Sequence, residues 1–335
     1  MTTRRPGAAV IGLILAVVVV SAAGADTRIT LQLKWLPQAQ FMGYYVAAQK
    51  GYYKAEGLDV LVLPGGVDII PEQQVFNGTA DIGVTWLSSL LAYQDKGWKF
   101  VGVAQMFQKS ALVLVSRASS GILSPRDLAG RKVGSWFGGN EYPLYALLES
   151  AGLDRNRDLE LVRQDYSMDQ VIRGDIDAAS AMTYNELGLL LESGFTRSQL
   201  NVIDMNAAGV AMLEDHLFVT SSWLEKNRDV LVRFLRASIK GWKEACRDPE
   251  AAGALVYNLG RSVSLAHQVY MAREIARLVA PPGFDPDRIG YMDPAALKQT
   301  ADYAVKYGLL TKPSDLAAAV DTSSWEQAVG MQPRG

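Results

Sequence analysis

Cysteine and histidine are almost missing from this sequence: 335 residues contain one cysteine, Cys246, and two histidines, His216 and His267. A single cysteine forms no internal disulfide and builds no cysteine-rich metal site, and two histidines 51 positions apart have no ligand spacing around either. Zinc enzymes, iron–sulfur proteins and disulfide scaffolds are therefore disfavoured, and neither a metal nor a cofactor is expected. Charge of one sign is lacking too. With 33 basic and 35 acidic side chains the net charge is −2, so no basic field exists to concentrate nucleic acid or an anionic membrane. The catalytic signatures G-x-S-x-G, H-E-x-x-H, the P-loop and G-x-G-x-x-G are absent, and no catalytic residue is assigned. Cys246, beside Trp242 and Ala245 on an expected helix, reads as a buried inert thiol, and both histidines read as structural or solvated. A hydrolase built on His216 is the competing class.

What is present is the composition of a folded protein, 49 % hydrophobic and 20 % charged, long enough for about two domains. The first 25 residues stand apart. Arg4 and Arg5 precede an apolar run from Ala8 to Val20, and Ala23-Gly24-Ala25 fits an A-x-A site. This pattern predicts a secretory signal peptide cleaved after Ala25, since the run is shorter than the ~30 Å of a bilayer core requires. No cysteine follows the cleavage site to carry a lipid. The expected destination is the periplasm or the outside of the cell.

From residue 26 onward, strand and helix patterns alternate: strand Ile29–Trp35, helix Gly43–Lys50, strand Leu58–Leu63, helix Ile69–Phe76, strand Ile82–Val84. This alternation predicts an α/β fold with parallel strands and crossover helices. A second block repeats it, with strand Lys132–Trp136 and helix Tyr142–Ser150. Gly152-Leu153-Asp154 echoes Gly57-Leu58-Asp59, and Gly174-Asp175-Ile176-Asp177 echoes Gly78-Thr79-Ala80-Asp81 at nearly the same offset. Such echoes suggest two lobes on one plan, although Gly and Asp dominate turns of every kind. Leu112–Ser116 and Leu217–Thr220 are candidate hinge strands. The expected division is residues 26–110 plus 217–335 for one lobe and 111–216 for an inserted second lobe. A helix opened by a capping box at Ser222-Trp223-Leu224-Glu225, then helices Val269–Val279 and Ala295–Tyr307, complete the chain.

Candidate ligand contacts cluster where strands end. Trp35, Gln40 and Phe41 follow the first strand, with Tyr44 one helical turn later; Trp86 follows the third; Trp136, Gly138, Gly139, Asn140 and Glu141 follow the matching strand of the second block; Tyr184, Asn185 and Glu186 follow Ser180–Thr183. Ligands of open α/β sheets collect outside the carboxyl ends of strands. Rings facing each other stack planar molecules, while amides and carboxylates fix orientation. A tryptophan alone is more often core than ligand contact, and three at equivalent strand ends bring the two readings level. Gly138-Gly139 before a helix resembles an anion cradle, but Glu141 at its entrance opposes a phosphate and favours a neutral or partly cationic heterocycle. A carboxylate at Glu186 suits two N–H donors of an aminopyrimidine edge; a solvated helix residue is the equal alternative.

These residues carry a family likeness. Lys34-Trp35-Leu36-Pro37, Tyr44-Tyr45-Val46-Ala47, Lys50-Gly51-Tyr52-Tyr53 and Glu56-Gly57-Leu58-Asp59-Val60 resemble the opening of the periplasmic solute-binding proteins of ABC importers related to thiamine pyrimidine synthase. Trp136-Phe137-Gly138-Gly139-Asn140-Glu141-Tyr142-Pro143 and the Gly-x-x-Asp turns extend the likeness to about residue 190. The resemblance implies the two-lobed periplasmic-binding-protein fold with hinge strands and a ligand held between the lobes. The implied ligand is a small aromatic heterocycle: a thiamine pyrimidine precursor such as hydroxymethylpyrimidine or formylaminopyrimidine, with riboflavin as the alternative. By position, Trp35, Gln40, Phe41, Tyr44, Trp136, Asn140, Glu141 and Glu186 would inherit contact roles. The implied partner is an ABC permease of the inner membrane, with the binding protein itself monomeric. Fungal members are enzymes that consume an active-site histidine and carry a cysteine-rich iron motif. Phe41 stands at that histidine position and one cysteine cannot make the motif, so the resemblance argues for transport rather than synthesis.

Overall fold

The computed structural model describes residues 1–2, 26–137 and 139–331. The expected export segment and Gly138 lie outside the described residues. Among the described residues, ten strands form two five-stranded mixed sheets. The first contains β1 (Thr27–Gln32), β2 (Leu58–Leu63), β3 (Ile82–Thr85), β4 (Phe100–Gln105) and β10 (His216–Thr220), in the order β2-β1-β3-β10-β4. The second contains β5 (Leu112–Arg117), β6 (Lys132–Ser135), β7 (Glu160–Arg163), β8 (Ala178–Met182) and β9 (Leu200–Asp204), in the order β7-β6-β8-β5-β9. In each sheet three parallel strands are followed by one that runs against both its neighbours: β10 between β3 and β4, and β5 between β8 and β9. The chain passes between the sheets through residues 106–111 and 205–215.

One sequence echo is a shared structural device. Asp81 accepts the Thr30 amide proton at 2.8 Å, and its own amide donates to the Thr30 carbonyl at 3.1 Å. Asp177 does the same to Lys132, at 2.9 and 2.8 Å. The Gly-x-x-Asp turn thus docks the entry of β3 onto β1 and of β8 onto β6. The glycine opening each turn is left-handed, φ 72° at Gly78 and 83° at Gly174, a conformation that costs a side-chain-bearing residue energy.

Several boundaries differ from the pattern reading. The first strand stops at Gln32 rather than Trp35, and β6 stops at Ser135 rather than Trp136, so both tryptophans lie just past their strands. The long helix runs Ser221–Arg247 with a kink at Asn227, and it is capped by Thr220, whose hydroxyl accepts from the Trp223 amide at 3.2 Å, not by Ser222. Thr220 thus both ends the strand, where it still pairs with Phe100, and caps the helix. Helix Leu265–Val279 starts four residues before the expected Val269, with Ser264 as its cap.

Alternation along the central strands separates the cores. Leu112 and Leu114 of β5 enter the principal cluster that also holds Ile29, Leu31 and Val84, while Val113 and Val115 enter a second cluster on the other face. Helix Met42–Gln49 crosses the long helix at a glycine pair. A Cβ on Gly241 would stand 2.2 Å from the Gly43 carbonyl oxygen, and one on Gly43 would stand 2.1 Å from the Trp242 ring. This close crossing sets Tyr44 edge-on to Trp242, centroids 5.4 Å apart. Gly241→Ala should therefore lower the free energy of unfolding by ~1–3 kcal/mol, as overpacking does, measured by urea titration; an unchanged midpoint would show that the helices separate without strain.

Candidate functional site

The carboxyl ends of β1 and β3 face those of β6 and β8 across a cleft whose empty space is about 470 Å³. Trp35 lies in the bend that follows β1, and its carbonyl accepts from the Gly65 amide at 2.9 Å. Gly65 permits that approach: a Cβ there would lie 2.4 Å from the Leu33 carbonyl oxygen. Trp136, at the end of β6, donates its indole N–H to the Asp165 carbonyl at 3.0 Å, which fixes the ring. Tyr166 stands between the two tryptophans. Its ring is 5.0 Å from Trp35 and tilted by 44°, and 6.4 Å from Trp136 and nearly parallel at 13°. Trp86 sits under the Lys34 ammonium at 5.8 Å.

Of the residues singled out from the sequence, Trp35, Gln40, Trp86, Trp136, Asn140, Tyr184, Asn185 and Glu186 line the cleft together. Five do not. Phe41 is fully buried in the principal core, because the turn Ala39–Phe41 is pinned by the Ala39 amide on Gln268 Oε1 at 2.8 Å and directs successive side chains to opposite sides. Tyr44 is held in the core against Trp242. Glu141 turns back on its own loop, its carboxylate accepting from the Gly139 amide at 2.8 Å. Gly139, with φ 128°, lies beside Ser89 rather than on the cleft wall, and Gly138 is outside the described residues. Sequence reasoning missed Lys34, Gln38, Tyr166 and Met182. Lys34 and Gln38 flank Trp35 and follow from strand-end logic. Tyr166 follows the end of β7, an edge strand that the pattern did not reveal.

The polar lining is oriented from behind. Gln40 donates both to Asp215 Oδ1 and to Oδ2, at 3.0 and 2.9 Å, and accepts from Gln38 at 2.9 Å. Asp215 is the non-glycine residue with positive φ, 47°, among those described. Its neighbour Glu214 accepts from the Ser110 hydroxyl and from the amides of Ala111 at 3.1 Å and Leu112 at 3.3 Å. One buried carboxylate thus ties the second crossing segment to the first. Glu186 accepts from the Met182 amide at 2.9 Å and from Asn185 Nδ2 at 2.7 Å. Burial raises all three carboxyls, Glu186 and Asp215 to about 7 and Glu214 to about 8. His216, fully buried with Nδ1 2.7 Å from Gln105 Oε1, is pushed down to about 3 by burial and packs on Gly102. A neutral ring sealed in the sheet has no access to the cleft. Cys246, the free cysteine, is pushed up to about 12 by burial, which makes its thiol inert. Among the described residues no group of His, Cys, Asp or Glu could hold a metal ion, and no helix is long and apolar enough to cross a membrane.

A family model described as "NMT1/THI5 like" matches residues 38–252, well over half of the chain. The chain belongs to the NMT1/THI5-like family. Among its relatives, riboflavin-binding protein RibY of Chloroflexus aurantiacus is 24 % identical over 87 % of this chain and 84 % of its own length. The formylaminopyrimidine-binding protein of Halalkalibacterium halodurans is 25 % identical over 72 % and 76 %. A 4-amino-5-hydroxymethyl-2-methylpyrimidine phosphate synthase of Saccharomyces cerevisiae is 25 % identical over 67 % and 69 %. Among solved structures, the periplasmic aliphatic sulphonate-binding protein SsuA of Escherichia coli superposes with TM-score 0.69 at 18 % identity, over 89 % of this chain and 92 % of SsuA. This NMT1/THI5-like chain thus has the periplasmic-binding-protein fold.

The buried acids give a pH signature. Glu214 and Asp215 titrate higher in the folded protein than in the unfolded chain, so between about 4.5 and 7 the native state holds extra protons, and their contribution to stability is lost as pH rises through the folded values. His216 acts oppositely, but only between about 3 and its ordinary 6.5. Above pH 6.5 the acids act unopposed by His216. Urea unfolding should therefore report lower stability at pH 8 than at pH 6.5, and Glu214→Gln should flatten that slope. An equal slope in the variant would show that Glu214 stays ionised.

Proposed function

We propose that this protein is the solute-binding component of an ABC importer, taking a planar aromatic heterocycle between its two halves and handing it to a membrane permease. In this reading residues 26–110 and 217–335 form one lobe and 111–216 the other. The chain is exported, and residues 1–25 are removed. No bond is made or broken. The observation that carries the reading is the convergence of Trp35, Trp136 and Tyr166 from the two sheets, with Glu186 and the amides of Gln38 and Asn140 beside them. Flat rings supply stacking area and a few oriented polar groups supply selectivity. A ligand touching both halves favours the closed arrangement, because an open cleft offers only half of those contacts.

A thiamine pyrimidine precursor is the ligand we favour. One tyrosine ring, Tyr166, reaches both Trp35 at 5.0 Å and Trp136 at 6.4 Å, which suits a single small ring, and Glu186 provides an acceptor for an exocyclic amino group. Riboflavin is the second reading, supported by the relative named for it, which aligns over 87 % of the chain. The synthase activity named for the yeast relative is a weaker reading here. Phe41 is sealed in the core, the histidines lie off the cleft wall, and one cysteine forms no cluster.

The test is a thermal-shift panel of hydroxymethylpyrimidine, formylaminopyrimidine, thiamine, riboflavin and taurine. A ligand at about a hundred times its Kd adds ~2.7 kcal/mol and a clear rise in Tm. Response to the pyrimidines alone supports a thiamine-precursor receptor, response to riboflavin alone moves the protein to flavin uptake, and silence across the panel removes the aromatic-cleft reading. For the ligand that binds, Trp136→Ala or Glu186→Ala should weaken affinity about tenfold or more; a change within about twofold would place the contacts elsewhere.

A further inference from the structure

Behind Glu186 a chain of hydrogen bonds runs away from the cleft wall. Glu186 Oε1 accepts from Asn185 Nδ2 at 2.7 Å; Asn185 Oδ1 faces His267 Nε2 at 3.0 Å; His267 Nδ1 faces Glu192 Oε1 at 2.8 Å. With Glu186 and Glu192 both ionised, the hydrogen-bond directions along this chain follow in order. Ionised carboxylates only accept, so Nδ1 donates to Glu192. The Asn185 amide group has its Nδ2 on Glu186, which leaves its oxygen, also only an acceptor, toward His267. Each ring nitrogen of His267 then faces an acceptor, so the geometry is that of a ring that donates at both positions; the ring is 1 % exposed, with Glu192 beside it and Glu186 beyond the amide. The other charged groups near this corner, Arg197, Glu274 and Arg277, surround the neighbouring Tyr270.

The chain also joins the two halves. Asn185 and Glu186 follow β8 of the second sheet, whereas His267 belongs to helix Leu265–Val279, which holds the Ala39 amide of the first half through Gln268. Tyr270 of the same helix donates to the Thr183 carbonyl at 2.7 Å. Gly188 makes room for both rings: a Cβ there would lie 2.4 Å from Tyr270 and 3.2 Å from His267.

Resting on the reading of the cleft as a heterocycle site, we propose that His267 is a positioning residue for ligand selection: its Nε2–H, through Asn185, keeps Glu186 in place as an acceptor-only carboxylate, so that the site takes a ligand edge bearing N–H donors. Were the ring neutral at Nε2, the Asn185 amide would turn over and Glu186 would carry the proton instead, presenting a donor to the same edge. Glu186 is held directly by Met182 and Asn185 of its own half, and the other half acts on it only through the contact of His267 with Asn185.

Two measurements on the full mature chain test this. With only two histidines, ¹⁵N labelling of the rings gives two resolvable sets of signals, and His267→Gln identifies the set that disappears. In the ligand-free protein at pH 7 both nitrogens of His267 should carry protons; an unprotonated Nε2 would overturn the proposal. Binding of hydroxymethylpyrimidine is then compared with that of its 4-oxo counterpart, whose edge presents a carbonyl in place of the amino group. The wild type should prefer the amino form by about tenfold or more. His267→Ala should erode that preference, while His267→Gln, which keeps a donor for Asn185, should retain most of it. Equal weakening of both ligands by His267→Ala would mean a merely structural histidine and would also overturn the proposal. Should neither pyrimidine bind, the ligand reading fails, and the ring-nitrogen spectrum alone decides the role of His267.

Discussion

The arrangement depends first on one buried carboxylate. Glu214 sits at the end of the second crossing segment and takes the Ser110 hydroxyl and the Ala111 and Leu112 amides from the end of the first. Two of these donors are backbone amides entering β5, and leaving a buried amide without a partner costs ~1–3 kcal/mol. Asn206 adds a reciprocal pair with the Ser110 backbone, at 3.1 and 2.8 Å. The two passages between sheets are thereby held side by side, and the carboxyl ends of both sets of parallel strands open onto the same space.

From that constraint the cleft follows. Trp35 and Trp86 come from adjacent strands β1 and β3, and Trp136 and the Tyr184–Glu186 segment from the corresponding strands β6 and β8. Each half therefore supplies a ring and a polar group from equivalent positions of one plan. The polar groups are arranged in two layers. Asp215 orients Gln40, and Asn185 orients Glu186, so the amides and the carboxylate on the cleft wall do not rotate freely. A buried acceptor held in this way rejects a mismatched edge more strongly than a mobile one, since it cannot turn away from an unpaired contact.

Strand-end logic located most of the wall from sequence because a parallel strand buried on both faces ends abruptly and the next residues have no neighbour but the cleft. It failed for Phe41 and Tyr44, which share the same stretch of chain. Their fate is set by the glycine pair Gly43 and Gly241, whose close crossing draws Tyr44 against Trp242 and leaves Phe41 beneath the helix. Gly241 lies about two hundred positions away, beyond the reach of any local pattern. Tyr166 was hidden for a related reason. It belongs to the loop after an edge strand whose half-exposed residues alternate too weakly to be read as a strand.

What the sequence by itself determined was local and repetitive: the α/β alternation, the doubled plan with its Gly-x-x-Asp turns, the scarcity of cysteine and histidine, and the aromatic and amide residues at strand ends. These depend on backbone propensity, periodicity and composition, which act over a few residues. Only the tertiary structure decided which aromatic rings are core and which are cleft, that Tyr166 stands between Trp35 and Trp136, and that His267 is joined to Glu186 through Asn185. Those outcomes depend on segments as distant as Asn185 and His267 meeting in space. Burial and hydrogen-bond direction, the quantities that set their chemistry, exist only once they have met.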